Sequence, residues 1–133
     1  MTTDNIRTLV QYRLKQAEET LRASALLMEH RLGGVMNRSY YAMFYAVLAL
    51  LALRQLETSK HAGVISLFDR EFVHTGVFPR ELSRWLHQAF RQRLAADYAP
   101  LNMMTEDEAR QVLDEANAFV TQVKAHLLQE LQL

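Results

Sequence analysis

Arg38, Tyr41 and Tyr45 fall at i, i+3 and i+7 within Asn37-Arg38-Ser39-Tyr40-Tyr41-Ala42-Met43-Phe44-Tyr45-Ala46. On a helix that spacing puts one guanidinium and two phenols along a single face. A planar guanidinium fork matches the oxygens of a phosphate. Two readings of Arg38 stand side by side. It pairs with a carboxylate from another helix, the usual fate of an interior arginine, or it clamps a phosphate. Asn37 beside it suits either a helix cap or a ligand contact.

Two further groups have types suited to chemistry. His61 follows Lys60 at the expected start of a helix, where an imidazole can cap the backbone or act as an acid or base. Arg93 and Asp97 stand at i, i+4 and can pair on their own helix. Asp97 can instead reach Arg38 if the two helices are neighbours. The five histidines, His30, His61, His74, His87 and His126, show no i, i+3 or i, i+4 pairing and no HExxH pattern, so no zinc site is expected. His87 reads with Arg80, Arg84 and Arg91 as one stripe of a solvated basic face. The chain lacks a glycine-rich phosphate loop, a nucleophile elbow and an acidic metal cluster, and no cofactor is expected.

The stretch that must position Arg38 is itself unusual. From Tyr40 to Leu53 there is no charged residue, no Gly and no Pro. That is too short to span a bilayer and suits a helix buried on nearly all sides. Ala42, Ala46 and Ala49 give it one small-sided face for close packing. The spacing predicts this helix over about Gly34 to Gln55. Before it, Ile6, Leu9, Val10, Leu14, Ala17, Leu21, Ala25 and Met28 predict a helix from about Asn5 to Arg31, capped by Asp4 or Thr3 and ended by Gly33-Gly34. A short turn between the two makes them an antiparallel hairpin.

Val64, Ile65, Phe68 and Phe72 mark a third helix, about His61 to Val73. Pro79 suits the first turn of a fourth, which runs to about Tyr98 with Leu82, Leu86, Ala89, Phe90 and Leu94 inward; Pro100 ends that segment. Thr105 and Glu108 form a capping box for a fifth helix that reaches about Leu131. The expected fold is all-α: an up-and-down bundle of four longer helices plus one short helix, in a single domain over residues 1–133.

Composition agrees with this. Half of the 133 residues are hydrophobic, which supplies a core, and Gly and Pro are scarce. The formal net charge is zero, so affinity for nucleic acid has to come from a local patch. With no cysteine, disulfide and thiolate chemistry are excluded. The N-terminus does not read as a signal peptide and no membrane span is evident; a soluble cytoplasmic protein is expected.

The motif at 37–46 resembles the core helix of HEPN-domain proteins, and most closely the stand-alone bacterial and archaeal branch whose members often read Asn-Arg-Ala-Tyr-Tyr-Ala-Met-Phe-His-Ala. Lys60-His61-Ala62-Gly63-Val64-Ile65-Ser66-Leu67-Phe68 agrees with the same pattern, as does Arg93 followed by Ala96-Asp97-Tyr98. The resemblance spans about residues 5–130. It implies a helical bundle that dimerises, with the core-helix arginines of two subunits lining a shared cleft. It also implies a metal-independent ribonuclease toxin, opposed by a partner minimal nucleotidyltransferase (MNT) antitoxin. By this resemblance Arg38 is the catalytic arginine, and Tyr45 stands where the family has its histidine. An unperturbed tyrosine titrates near ~10 rather than near neutrality, so Tyr45, Tyr41 or His61 would have to take over the missing proton transfer. The other reading is a non-catalytic module in which Arg38, Asn37 and Tyr41 line a nucleotide- or RNA-binding groove or the dimer contact itself, with His61, Arg93 and Asp97 as further nucleotide- or RNA-binding candidates.

Overall fold

The structure is a computed structural model that describes residues 2–31, 33–98 and 105–132, the last three of the middle segment by backbone alone. Its helices are α1 (Thr3–Glu29), α2 (Val35–Leu53), α3 (His61–Phe68), α4 (Arg80–Tyr98) and α5 (Glu106–Leu131). A single π-helical turn, Asp69–Val73, continues α3. The architecture is the expected all-α one, four longer helices with a short fifth, and no strand occurs among the described residues.

α2 is the axis of the bundle. It touches α1, α3, α4 and α5, and its interface with α1 is the most extensive. Tyr40, Ala42, Met43, Ala46, Val47, Ala49 and Leu50 are all fully buried. The run without charge is thus buried over most of its surface, with Tyr41, Phe44, Tyr45, Leu48 and Leu53 half-buried. α1 and α2 are antiparallel: Ser24 meets Ser39 near the turn, while Leu9 and Arg13 lie beside Leu48, Leu51 and Ala52 at the other end. α5 is antiparallel to α1 in turn, since Arg31 pairs with Glu106 at 3.7 Å and Glu18 with Lys124 at 2.9 Å.

The helix ends differ in detail from the periodicity. α1 starts earlier than expected: Thr2, not Asp4 or Thr3, is the cap, and its hydroxyl accepts the Asn5 N–H. α1 also stops before the glycines. Arg31 takes the left-handed conformation (φ 55°), and its N–H returns to the Met28 carbonyl at 3.2 Å. Gly34 (φ 104°) leads into α2 instead. α2 ends in a Schellman motif built on Gln55 (φ 56°), with the Leu56 N–H on the Leu51 carbonyl and the Gln55 N–H on the Ala52 carbonyl. Side-chain spacing cannot reveal such ends, because a polar residue takes the conformation glycine usually holds.

α3 keeps its expected range but not its regularity. The His74 N–H bonds to the Asp69 carbonyl, five residues back, at 2.8 Å. The Arg54 guanidinium sits 4.4 Å over the Phe72 ring and 3.9 Å from the Glu71 carboxylate, joining the end of α2 to this wide turn. Pro79 precedes α4 rather than entering it, and its carbonyl accepts the Leu82 N–H. At α5 the Thr105 hydroxyl accepts the Glu108 N–H at 3.1 Å. The return half of the capping box is different from that expected: Glu108 Oε1 takes the Thr105 hydroxyl proton, not its backbone N–H.

Candidate functional site

Arg38 lies in the first turn of α2 and its side chain is exposed. Its backbone N–H is satisfied by the Gly34 carbonyl at 3.0 Å. Among the described residues its guanidinium makes no ion pair. Asn37 beside it is half-buried. The turn is anchored from below by Ser39, buried against Ser24 at 2.8 Å. Arg38 therefore projects outward from the first turn of a largely buried helix.

One turn further along, α2 carries four aromatic rings in six residues. Tyr40 is fully buried, whereas Tyr41, Phe44 and Tyr45 are half-buried. Tyr41 and Tyr45 have centroids 5.9 Å apart. Two polar side chains from other helices complete the group. His61 arrives from the first residue of α3 and stacks on Phe44 at 4.3 Å and 17°. Its Nδ1 is 2.8 Å from the Tyr40 hydroxyl. Arg93 arrives from α4 and lies over three rings, 5.2 Å from Tyr40, 5.6 Å from Tyr41 and 5.8 Å from Phe90. Its Nη1 approaches the Tyr41 hydroxyl at 3.5 Å.

Gly63 lets α3 start where His61 can reach this cluster. A Cβ at residue 63 would run into Thr58 Oγ1. With Thr58 in place, glycine at 63 gives the first turn of α3 that closeness to the preceding loop.

The electrostatics of the cluster favour neutral rings. Burial raises the Tyr40 phenol well above the ordinary tyrosine value, and Arg93 only partly offsets it. Burial also lowers His61 below the usual histidine value, and the nearby Arg93 charge lowers it further. At neutral pH the pair is an uncharged phenol beside an uncharged imidazole, both next to a guanidinium.

The structure thus brings together four of the residues singled out in the sequence, Tyr41, Tyr45, His61 and Arg93, with Arg38 and Asn37 on the preceding turn. Asp97 lies outside the described side chains. Tyr40, Phe44 and Phe90 belong to the group but read in the sequence only as core. Nothing in the sequence near Tyr40 or His61 points to the bond between them. His87 is a correction. It does not join a solvated stripe, because its Nε2 is 2.6 Å from Asp69 Oδ2 on the π turn. Periodicity along α4 cannot show a partner on another element. Arg80, Arg84 and Arg91 are exposed. A separate cavity of about 640 Å³ lies beside the other end of α2, lined by Leu9, Arg13, Leu48, Gln55 and Leu56 among others, and contains none of the site residues. Among the described residues, no three His, Asp, Glu or Cys side chains gather as metal ligands, and no helix is long and apolar enough to cross a membrane.

A family model described as "HEPN domain" matches residues 10–126. A Thermotoga maritima relative named "UPF0332 protein" is 35% identical over 125 residues, covering 93% of this chain and 94% of the relative. Two Methanocaldococcus jannaschii relatives are named "Putative toxin MJ0605" and "Putative toxin MJ0142". The first is 36% identical, covering 92% of each chain; the second is 32% identical, covering 86% of this chain and 79% of the relative. With a family model matched over residues 10–126 and relatives 32–36% identical over most of the chain, this chain belongs to the HEPN domain family.

Proposed function

We propose that this chain is a HEPN toxin-type protein that binds RNA around Arg38 and cleaves it without a metal ion. The observation that carries the reading is Arg38 itself: an exposed guanidinium on the first turn of α2, with no ion pair among the described residues, on the helix face that Tyr41 and Tyr45 continue. An arginine serving an interior ion pair would have a carboxylate beside it. The names of the two Methanocaldococcus relatives support a toxin role.

In this reading the ribose 2′-hydroxyl attacks the neighbouring phosphorus. The O2′–P bond forms and the P–O5′ bond breaks, leaving a 2′,3′-cyclic phosphate and a free 5′-hydroxyl. Arg38 stabilises the charge that gathers on the phosphate oxygens. Tyr45 lies on the same face of α2, and its hydroxyl can give a proton to the leaving 5′-oxygen, while the proton of the attacking 2′-hydroxyl passes to water and water restores the phenol. Asn37, Tyr41 and Arg93 hold the strand. Two copies of the chain, paired along this face, would place two Arg38 side chains in one cleft, and an MNT antitoxin would oppose the activity.

Tyr45 favours a second reading. A tyrosine where the related pattern has histidine suits a module that binds RNA or a nucleotide and does not cut. Incubating a mixed RNA pool with the purified protein in EDTA, beside Arg38→Ala and Tyr45→His, separates the two. Cleavage that disappears in Arg38→Ala supports the nuclease. Silence of the native chain with activity in Tyr45→His supports the binding module. Cleavage undiminished in Arg38→Ala overturns both.

A further inference from the structure

The Tyr40 hydroxyl lies 2.8 Å from His61 Nδ1, a contact that bears on which imidazole nitrogen carries the proton. Tyr40 is fully buried, and His61 Nδ1 is the only hydrogen-bond partner of its hydroxyl among the described residues. A phenol has one proton to give, and leaving it unpaired in the interior is costly. If Nδ1 carried the hydrogen and donated to the phenol oxygen, the phenolic proton would have no acceptor. Both groups are satisfied only when the phenol donates to a bare Nδ1. A neutral imidazole then holds its hydrogen on Nε2.

The surroundings keep that arrangement in place. Phe44 stacks on the imidazole at 4.3 Å, and Tyr41 meets it edge-on at 5.7 Å and 89°, so the ring has little freedom to turn. Arg93, over Tyr40 and Tyr41, opposes a second positive charge nearby. A histidine held in this way cannot collect a proton at Nε2, because that nitrogen already bears one. It can only donate.

We propose that Tyr40 is a positioning residue that holds His61 as the Nε2–H tautomer, so that His61 offers a neutral hydrogen-bond donor to a phosphodiester oxygen of RNA. The assignment of RNA rests on the reading given above; the tautomer does not. It follows that His61 is not the base that replaces the family histidine. It acts beside Arg38 as a second contact to the backbone, and proton transfer is left to another group.

The test is nitrogen-15 NMR of the imidazole nitrogens in the full-length protein at pH 7.5, with His61→Gln used to assign the His61 signals. The expected spectrum shows an unprotonated Nδ1 and a protonated Nε2. In Tyr40→Phe the two tautomers should mix. A native spectrum with Nδ1 protonated overturns the proposal without any variant having to fold. The second arm adds a short 2′-O-methyl RNA, which binds but cannot be cut. The Nε2 signal should move, and His61→Ala should weaken binding about tenfold, while His61→Gln, which keeps a donor, should lose much less. RNA that binds in an Arg38-dependent way yet leaves Nε2 unmoved overturns the phosphate contact and spares the Arg38 reading. RNA that does not bind overturns both the contact and that reading, whereas the tautomer stands or falls on the first spectrum alone.

Discussion

Ser24 and Ser39 meet at 2.8 Å across the α1–α2 interface, both fully buried. The direction of the bonds follows from counting protons. Ser24 Oγ gives its proton to the Val35 carbonyl at 3.1 Å, so Ser39 must donate to Ser24. This chain of two bonds holds α1 against the first turn of α2, directly beneath Arg38.

The first prediction concerns that chain. Ser24→Ala leaves the Ser39 hydroxyl without its acceptor in a dry interior, and should cost about 1–3 kcal/mol in urea unfolding. Ser24→Ala with Ser39→Ala should cost less than the sum of the two single changes, because neither orphan remains. Strict additivity would show that the hydroxyls do not interact.

Arg38→Ala should behave in the opposite way. The side chain is exposed and makes no ion pair among the described residues, so stability should stay within about 0.5 kcal/mol of the native chain. Binding of a short RNA, measured by fluorescence anisotropy, should fall sharply. A large loss of stability with unchanged binding would make Arg38 a structural residue.

The third prediction is a pH dependence. Burial first, and Arg93 second, hold His61 below the ordinary histidine value. As pH falls from about 6.5 through the lower folded value, the unfolded chain takes up a proton that the folded chain resists. The stabilising contribution is complete above about pH 6.5 and is lost across that window. The stability gap between the native chain and His61→Gln should therefore narrow between pH 7.5 and pH 5 in paired urea titrations. A constant gap would mean that the imidazole titrates alike in both states.

A fourth prediction tests how α3 reaches the cluster. Gly63→Ala pushes its new methyl into Thr58 Oγ1 and should destabilise the fold by about 1–3 kcal/mol. Adding Thr58→Ala should restore much of that loss, and the His61 signals should return with it. No recovery would place the cost elsewhere than in this contact.

Much of the fold was legible in the sequence because α2 announces itself: an uncharged run flanked by two amphipathic helices has few other places to go. The shared face of Arg38, Tyr41 and Tyr45 followed from helical spacing alone. What periodicity cannot supply is the meeting of elements far apart in the chain. Tyr40 and His61 are 21 residues apart, and nothing local to either shows their bond. Ser24 and Ser39 were equally silent, since a small polar residue inside an apolar pattern reads as neutral. His87 misled for the same reason: its register on α4 is basic, but Asp69 is what it faces. The helix ends at Arg31 and Gln55 escaped because polar residues adopted the left-handed backbone expected of glycine.

The wide turn at Asp69–Val73 bears on how this chain tolerates changes in length. A π turn is an α-helical turn with one residue too many, accommodated without unwinding its neighbours. Here the excess is carried on the outer side, where Arg70 is exposed, while Phe72 and Val73 stay buried. Deleting Arg70 gives the segment the residue count of an ordinary α-turn, with the buried pair still available to the core. The same deletion within α2 would rotate Arg38 relative to every buried residue on one side of the cut by about 100°. A single-residue deletion should therefore be accepted at residue 70 and rejected along the helix that carries the site.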